Sequence, residues 1–470
     1  MSSQQRFQVV SLLAVALSGG CGSSDPTFPA ITSAGNAAVS SAGASGGSGV
    51  SLGVAGTHTP NTSGSSGGVA GRAGAAGLVT GGVGGALSQG TAGSSAGAPA
   101  AGSGPVASAG SSGAAAGSGG VSETAGGAAP STPQLAVSAD FLNQTLSIVS
   151  VDKLVAGATR DDALVGTVDL SKYAPGPLAI AVTPDGKTAL VSISGGWLRL
   201  VASNVPAGDG TLLFVDLASR TVTGELNTGA SPMGIVIAHD GKHAFVGQLS
   251  DTYMAYVDIE KKTFERIATG NSWNEEFALD DTGTVGALTT GTAGNALTFS
   301  VAAPKTNGIT RNLTGDAGGV AFFPGTKFAF VVQAPTDLTG NTGGYNVIDA
   351  SDPAAPKVTD SNRVPGDTRK AYPVTSVPSR KSVVYPFADG KLSLVEMSLE
   401  AGKAKVVQTI PVADATFAYG LAASAEGIVL TAVSAEHYVA VVDLNTGKAF
   451  TVPWNVTKSG PVDVKFIPKE

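Results

Sequence analysis

Two short segments concentrate the groups that could act together chemically. Residues 271–276 read NSWNEE and residues 369–372 read RKAY. A carboxylate such as Glu275 or Glu276 serves as a general base when it lies within hydrogen-bond reach of the proton it takes. Arg369 can grip an acidic group with two parallel hydrogen bonds or steady a developing oxyanion, and Lys370 adds a second cation. Trp273, Tyr372 and Tyr419 offer flat faces on which an apolar body can stack. With Asn274 as a further polar contact, this set suits a small polar ligand or a peptide, provided the fold brings the segments together.

Other constellations are poorer. The four histidines, His58, His239, His243 and His437, form no pattern of metal-ligand spacing, and the single cysteine, Cys21, cannot build a thiolate metal site or an internal disulfide. No metal and no cofactor is therefore expected. Neither a G-x-S-x-G nucleophile turn nor a phosphate-binding G-x-x-x-x-G-K-[ST] loop occurs. Five acids recur at one position, Asp216, Asp258, Asp349, Glu396 and Asp443, each ending an apolar run such as TLLFVDL. They are expected to cap separate turns by accepting backbone N–H groups rather than to converge on an ion. A formal net charge of −7 argues against nucleic acid as a partner.

The elements that must position these groups are repeats. Residues 176–194 read GPLAIAVTPDGKTALVSIS and residues 231–249 read SPMGIVIAHDGKHAFVGQL. Each is an apolar strand, an Asp-Gly turn and a second strand, because glycine supplies the positive φ and aspartate bonds its own backbone. Weaker copies begin near 271, 316, 367 and 418, and each continues into a third and a fourth strand. Four antiparallel strands in units of this length make a propeller blade. Six units leave three strands over at 134–170 and one at 461–468 (PVDVKFIP). The prediction is an all-β, seven-bladed β-propeller over 131–470, closed by a split blade of three N-terminal strands and one C-terminal strand. No helix is predicted within it.

The phrase P-x-x-I-x-V-x-x-D-G-K-x-A-x-V, followed by V-D-L or V-D-I, resembles the YVTN, or lactonase-like, family of seven-bladed propellers. The two clearest blades carry it, and the others match in pattern only. The family motif implies the fold firmly and the function loosely. In such a ring the loops that lead into the inner strands converge on the mouth of the central channel. That places Trp273, Asn274, Glu275, Glu276, Arg369, Lys370, Tyr372 and Tyr419 around one opening.

Residues 1–20 resemble a lipoprotein signal. A start with one positive charge precedes the apolar stretch 7–17 (FQVVSLLAVAL) and then Ser18-Gly19-Gly20-Cys21. The resemblance implies cleavage before Cys21 and acylation of its thiol and amine, which gives lasting membrane anchorage. Residue 22 is glycine, and enteric inner-membrane retention calls for aspartate there, so the expected place is the outer membrane, at its periplasmic or cell-surface face. Residues 21–130 are dominated by glycine, alanine and serine, with Asp25, Arg72 and Glu123 the only charged side chains. Such a stretch cannot offset its ordering entropy and is expected to be a disordered tether, with a root-mean-square span of about 55–60 Å. Two function classes follow. The first is a membrane-anchored, monomeric binding module for a small polar ligand, peptide or protein partner. The alternative is a channel-mouth lactonase, lyase or hydrolase with Glu275 or Glu276 as base.

Overall fold

A computed structural model describes residues 133–194, 210–229, 231–290, 294–310, 313, 316–334, 344–363, 373–388, 391–415, 418–434, 436–454 and 460–469. The signal segment, Cys21 and the glycine-rich stretch lie outside these residues, as do Arg369, Lys370 and Tyr372. Among the described residues no helix is long and apolar enough to cross a membrane.

The chain forms seven four-stranded antiparallel sheets. Blade 1 is the split one. Leu135–Asp140, Thr145–Ser150 and Leu164–Asp169 come from the N-terminal side, and Asp463–Ile467 from the C-terminal side is the innermost strand. That strand pairs antiparallel with the first, Ala139 opposite Asp463 and Leu135 opposite Ile467. The inner strands of blades 2 to 7 are Pro177–Val182, Pro232–Ile237, Asn274–Leu279, Asp316–Phe322, Thr375–Val377 and Gly420–Ala423. Each lies beside the inner strand of the next blade, and Gly420–Ala423 returns to Asp463–Ile467, so the ring is closed.

The core is divided among the blade interfaces. Val137, Leu146, Ile180 and Leu213 pack between blades 1 and 2, and Leu190, Phe214, Val246 and Val257 between blades 2 and 3. Ala136, Leu430, Val441 and Trp454 fill the interface between blades 7 and 1. Both faces of the middle strands are covered, which explains why they read as nearly continuous apolar runs. The outermost strands, such as Thr221–Gly229, alternate between exposed and half-buried residues because only one face meets a neighbour.

The turns form as their residues dictate. Gly186 and Gly241 have φ of 70° and 66°, and Asp185 and Asp240 accept the N–H of the residue two places on. Four of the recurrent acids cap turns: Asp216 accepts from Ser219 N, Asp258 from Lys261 N, Asp349 from Ser351 N and Asp443 from Asn445 N. Glu396 departs from the pattern. It is buried and takes two hydrogen bonds from Arg380, at 2.7 and 3.0 Å, with Ser382 and Gln408 completing its shell. Burial alone would raise its pKa, but these donors outweigh burial and lower it. A second departure is helical. Thr145–Ser150 ends earlier than its apolar pattern suggests, and Val151–Val155 and Arg160–Ala163 are short helices. Ser150 and Thr159 cap them by accepting from Lys153 N and Asp162 N.

A buried latch joins blade 7 to the split blade. Trp454 Nε1 donates to Asp140 Oδ1 at 3.0 Å, and Ser138 and Ser147 also donate to this carboxylate. Burial raises the Asp140 pKa against these hydrogen bonds and the nearby Arg160 charge. Trp454→Phe keeps most of the packing and removes one donor from a buried acceptor. It should cost about 1–3 kcal/mol, read as a lower urea midpoint; an unchanged midpoint would show that the latch is idle. Deleting residues 461–470 bares an apolar sheet edge and should yield insoluble protein. A soluble, cooperatively melting truncation would contradict closure by the C-terminal strand.

Candidate functional site

The inner strands of blades 2 to 5 share an irregularity near their N-terminal ends. Pairing with the second strand slips between Pro177 and Ala179, Pro232 and Ile235, Asn274 and Phe277, and Ala317 and Val320. A bulge bends a strand and re-aims its side chains. In blade 4 the bulged residues are Glu275 and Glu276. Glu276 N donates to Thr289 Oγ1 at 3.2 Å, and that hydroxyl donates to Gly318 O in blade 5 at 2.6 Å. Thr289 therefore ties the two neighbouring bulges together. The approach of blade 3 is closer still: a Cβ on Gly234 would lie 2.0 Å from Glu275 O, so only glycine fits there.

Register aligns these bulges into two tiers around the channel. The first holds Leu178, Met233, Glu275 and Gly318, with Tyr419 of blade 7 and Val462 of blade 1 at the matching places. Leu178, Met233, Tyr419 and Val462 pack against one apolar cluster. The second tier holds Ala179, Gly234, Gly319 and Gly420, small residues all, interrupted by Glu276 in blade 4 and Asp463 in blade 1. Three places apart in a ring of seven, these two blades face each other across the channel.

The two acids have different surroundings. Asp463 accepts from Ile180 N at 2.9 Å, Val464 N at 2.8 Å and Lys465 Nζ at 2.8 Å. Glu276 makes no side-chain hydrogen bond to a described residue and is half-buried on the channel wall. Desolvation pushes its carboxyl up to about 7. The Lys465 charge pulls it down and the Asp463 charge raises it further. Burial would lower the Lys465 pKa, but Asp463 and Glu276 together raise it. Tyr419 is raised by burial and then by the charge of Glu275, on the opposite wall.

Of the residues expected at the mouth, Glu275, Glu276 and Tyr419 are brought together. Trp273 is half-buried just before the inner strand of blade 4. It holds φ at 64°, and its N–H donates to Leu249 O at 2.8 Å. The expectation for Asn274 is corrected. Its side chain is fully buried, and its Nδ2 lies within hydrogen-bond distance of the carbonyls of Gln248, Asp251, Tyr253 and Asn271. It clamps the loop that presents Trp273 and Glu275, and has no surface for a ligand. Arg369, Lys370 and Tyr372 fall outside the described residues. Asp463 and Lys465 are the residues that sequence reasoning missed. Their signal is the contrast of VDVKFI with the uncharged PLAIAV and PMGIVI of other inner strands. No cluster of three or more potential metal ligands occurs among the described residues.

No protein-family model matches the chain, and no curated protein matches its sequence. Solved structures do align with it. A functionally unknown protein from Desulfotomaculum acetoxidans is 12% identical and aligns over 72% of this chain and 99% of its own, with a TM-score of 0.53. Hydrazine synthase from Kuenenia stuttgartiensis is 18% identical over 58% of this chain and 77% of its own, with a TM-score of 0.46. The WD40 repeats of RRP9 are 10% identical over 64% and 83%, with a TM-score of 0.49. At 12% identity the Desulfotomaculum protein speaks for the fold alone. The seven blades are those of a β-propeller.

Glu276 sets a pH dependence of stability with a defined sign. Its folded pKa of about 7 lies above the ordinary 4.5, so the folded state binds more protons between these values. Stability should therefore fall as pH rises from about 4.5 to 7, then level off. Glu276→Gln removes the titration. It should stabilise the protein by about 1–3 kcal/mol at pH 8 and change little at pH 4. Equal effects at both pH values in chemical denaturation would contradict this placement of the carboxyl.

Proposed function

We propose that the chain is a lipid-anchored, extracytoplasmic propeller of the YVTN, lactonase-like type. It binds a small polar ligand or a short peptide at the mouth of its channel. The observation that carries this reading is Glu276. A half-buried carboxyl with no hydrogen bond to a described residue stands on the channel wall among small and apolar residues, where desolvation raises its pKa and a ligand can pair with it. Around it Trp273, Glu275 and Tyr419 supply contact surface and charge; Arg369, Lys370 and Tyr372, which lie outside the described residues, are proposed as further contacts on the strength of their sequence position before blade 6. The lipoprotein-like signal supports attachment through Cys21 to the outer membrane, with residues 21–130 as tether and the propeller acting as a monomer.

One observation favours a second reading. A carboxyl that titrates near 7 is matched to proton transfer at neutral pH, so Glu276 would serve as the base of a channel-mouth lactonase, lyase or hydrolase. The two readings part on turnover. The binding module leaves its ligand unchanged after long incubation, and the enzyme converts it.

The test begins with melting shifts against a panel of amines, amino acids, sugars and short peptides. For a compound that stabilises the protein, Trp273→Ala should weaken binding at least about tenfold, since a hot-spot side chain is typically worth about 2 kcal/mol, and Arg369→Ala should do the same for a ligand that carries an acidic group. Neither should move the melting temperature of the free protein by much. If both destabilise the fold and leave affinity untouched, Trp273 plugs the channel and the ligand sits elsewhere. Cys21→Ser should release the protein from membranes; retention after a salt wash would defeat the anchor.

A further inference from the structure

We infer that the channel mouth takes an organic ammonium ion with a short apolar body, its cationic head seated against Glu276. This rests on the channel-mouth reading above and narrows its ligand to one chemical class.

Three features of the wall select that class. The first is the difference between the two facing acids. Asp463 is satisfied by two backbone N–H groups and by Lys465, so neither member of this ion pair is left seeking a partner. The Glu276 carboxylate has no such donor. Lys465 acts on it through space but forms its ion pair with Asp463, on its own strand. A ligand that brings one positive charge supplies what Glu276 lacks. Among the described residues an anionic ligand would have to take Lys465 from Asp463 and face two carboxylates.

The second feature is the absence of side chains at the matching positions of the flanking blades. These are Gly234 and Gly319, so neither adds a side chain between the Glu276 carboxyl and the channel. Each flanking blade has little choice at this bulge. Gly234 is held to glycine by the approach of Glu275 O, and Gly318 O receives the Thr289 hydroxyl.

The third feature is the tier nearer the opening. Met233 and Tyr419 are half-buried one residue before the small-residue tier, with Leu178 buried in the cluster behind them, so a cation at Glu276 has its hydrocarbon part beside these two. Met233 is an unbranched, adaptable contact for such a body. An inorganic cation would leave this tier unused and would find only one ligand oxygen pair at Glu276, too few for a hard divalent ion.

Binding of this kind is linked to pH with a fixed sign. The groups facing Glu276 are Lys465 and Asp463 from the inner strand of blade 1, with Glu275 on its own strand and Tyr419 from blade 7. An alkylammonium ion keeps its charge below about pH 10, as lysine does. Only the ionised Glu276 attracts it. Affinity should therefore rise about tenfold between pH 6 and pH 8, as the ionised fraction of a group titrating near 7 grows from about a tenth to about nine-tenths.

Three isosteric probes test this: n-butylammonium, n-butanol and butyrate, titrated into the full-length protein at pH 6 and pH 8. NMR follows the indole of Trp273 and the ring of Tyr419. The ammonium ion should bind at least about tenfold more tightly than either of the others at pH 8, and should weaken about tenfold at pH 6. Glu276→Gln should abolish both the preference and the pH dependence while melting as a folded protein. Equal or tighter binding of butyrate, or an unchanged ammonium affinity in Glu276→Gln, overturns the ammonium assignment and leaves the channel-mouth reading standing. If none of the three probes moves either ring, both fall together.

Discussion

A four-stranded sheet with two apolar faces has no stable existence alone in water; each face must be covered by the next blade. In this protein the demand passes around the ring from interface to interface until the last blade must cover the first. Everything else depends on that closure. The strand Asp463–Ile467 lines the channel, pairs with Leu135–Asp140 and packs beside Gly420–Ala423, so the two ends of the folded part are fastened to each other. Trp454 reinforces the same seam from outside the channel by reaching Asp140. A propeller closed in this way has no open blade to invite pairing with another chain.

Closure also explains why charged groups meet in the channel. The ring forces seven inner strands to run side by side, and bulges in successive blades turn matching residues toward the opening. At most matching places the residue is small or apolar, as packing at a crowded rim requires. Glu275 and Glu276 depart from that rule, and so do Asp463 and Lys465. A rule obeyed by most blades and broken by two that face each other is the pattern expected where function overrides packing. The cost is visible in Glu276, which burial drives toward the neutral form.

Much of the scaffold was legible in the residues. Asp185-Gly186 and Asp240-Gly241 announce hairpins because those turns need a positive φ, and the acids of the V-D-L steps announce caps. The lone strand near the C-terminus, left over after six units, implied the split blade. Helix 151–155 was missed because the apolar run before it reads as a strand; VDKLV itself has apolar residues at i, i+3 and i+4, a helical spacing, behind the Ser150 cap. Glu396 looked like a fifth cap, but Arg380 draws it into a buried pair, a contact 16 residues away that spacing does not reveal. At the channel, loop convergence anticipated that Glu275, Glu276 and Tyr419 lie on facing walls of one opening. Asn274 was misjudged because an amide beside a tryptophan looks the same whether it faces a ligand or four carbonyls. Lys465 and Asp463 escaped because nothing local says which blade stands opposite which; that follows from the count and closure of the ring.

Among the described residues Glu276 has no hydrogen-bond partner in the channel, and Lys465 and Asp463 stand opposite. Carbon-13 NMR of glutamate carboxyl groups, with Glu276 assigned by its loss in Glu276→Gln, measures this directly. The account predicts a midpoint near pH 7, well above the ordinary glutamate value of 4.5. It also predicts that the midpoint moves upward in Lys465→Met, which removes the opposing positive charge and leaves Asp463 in place. A midpoint near 4.5, or one indifferent to Lys465, would mean that Glu276 is solvated or paired elsewhere, and the site would have to be sought away from the channel.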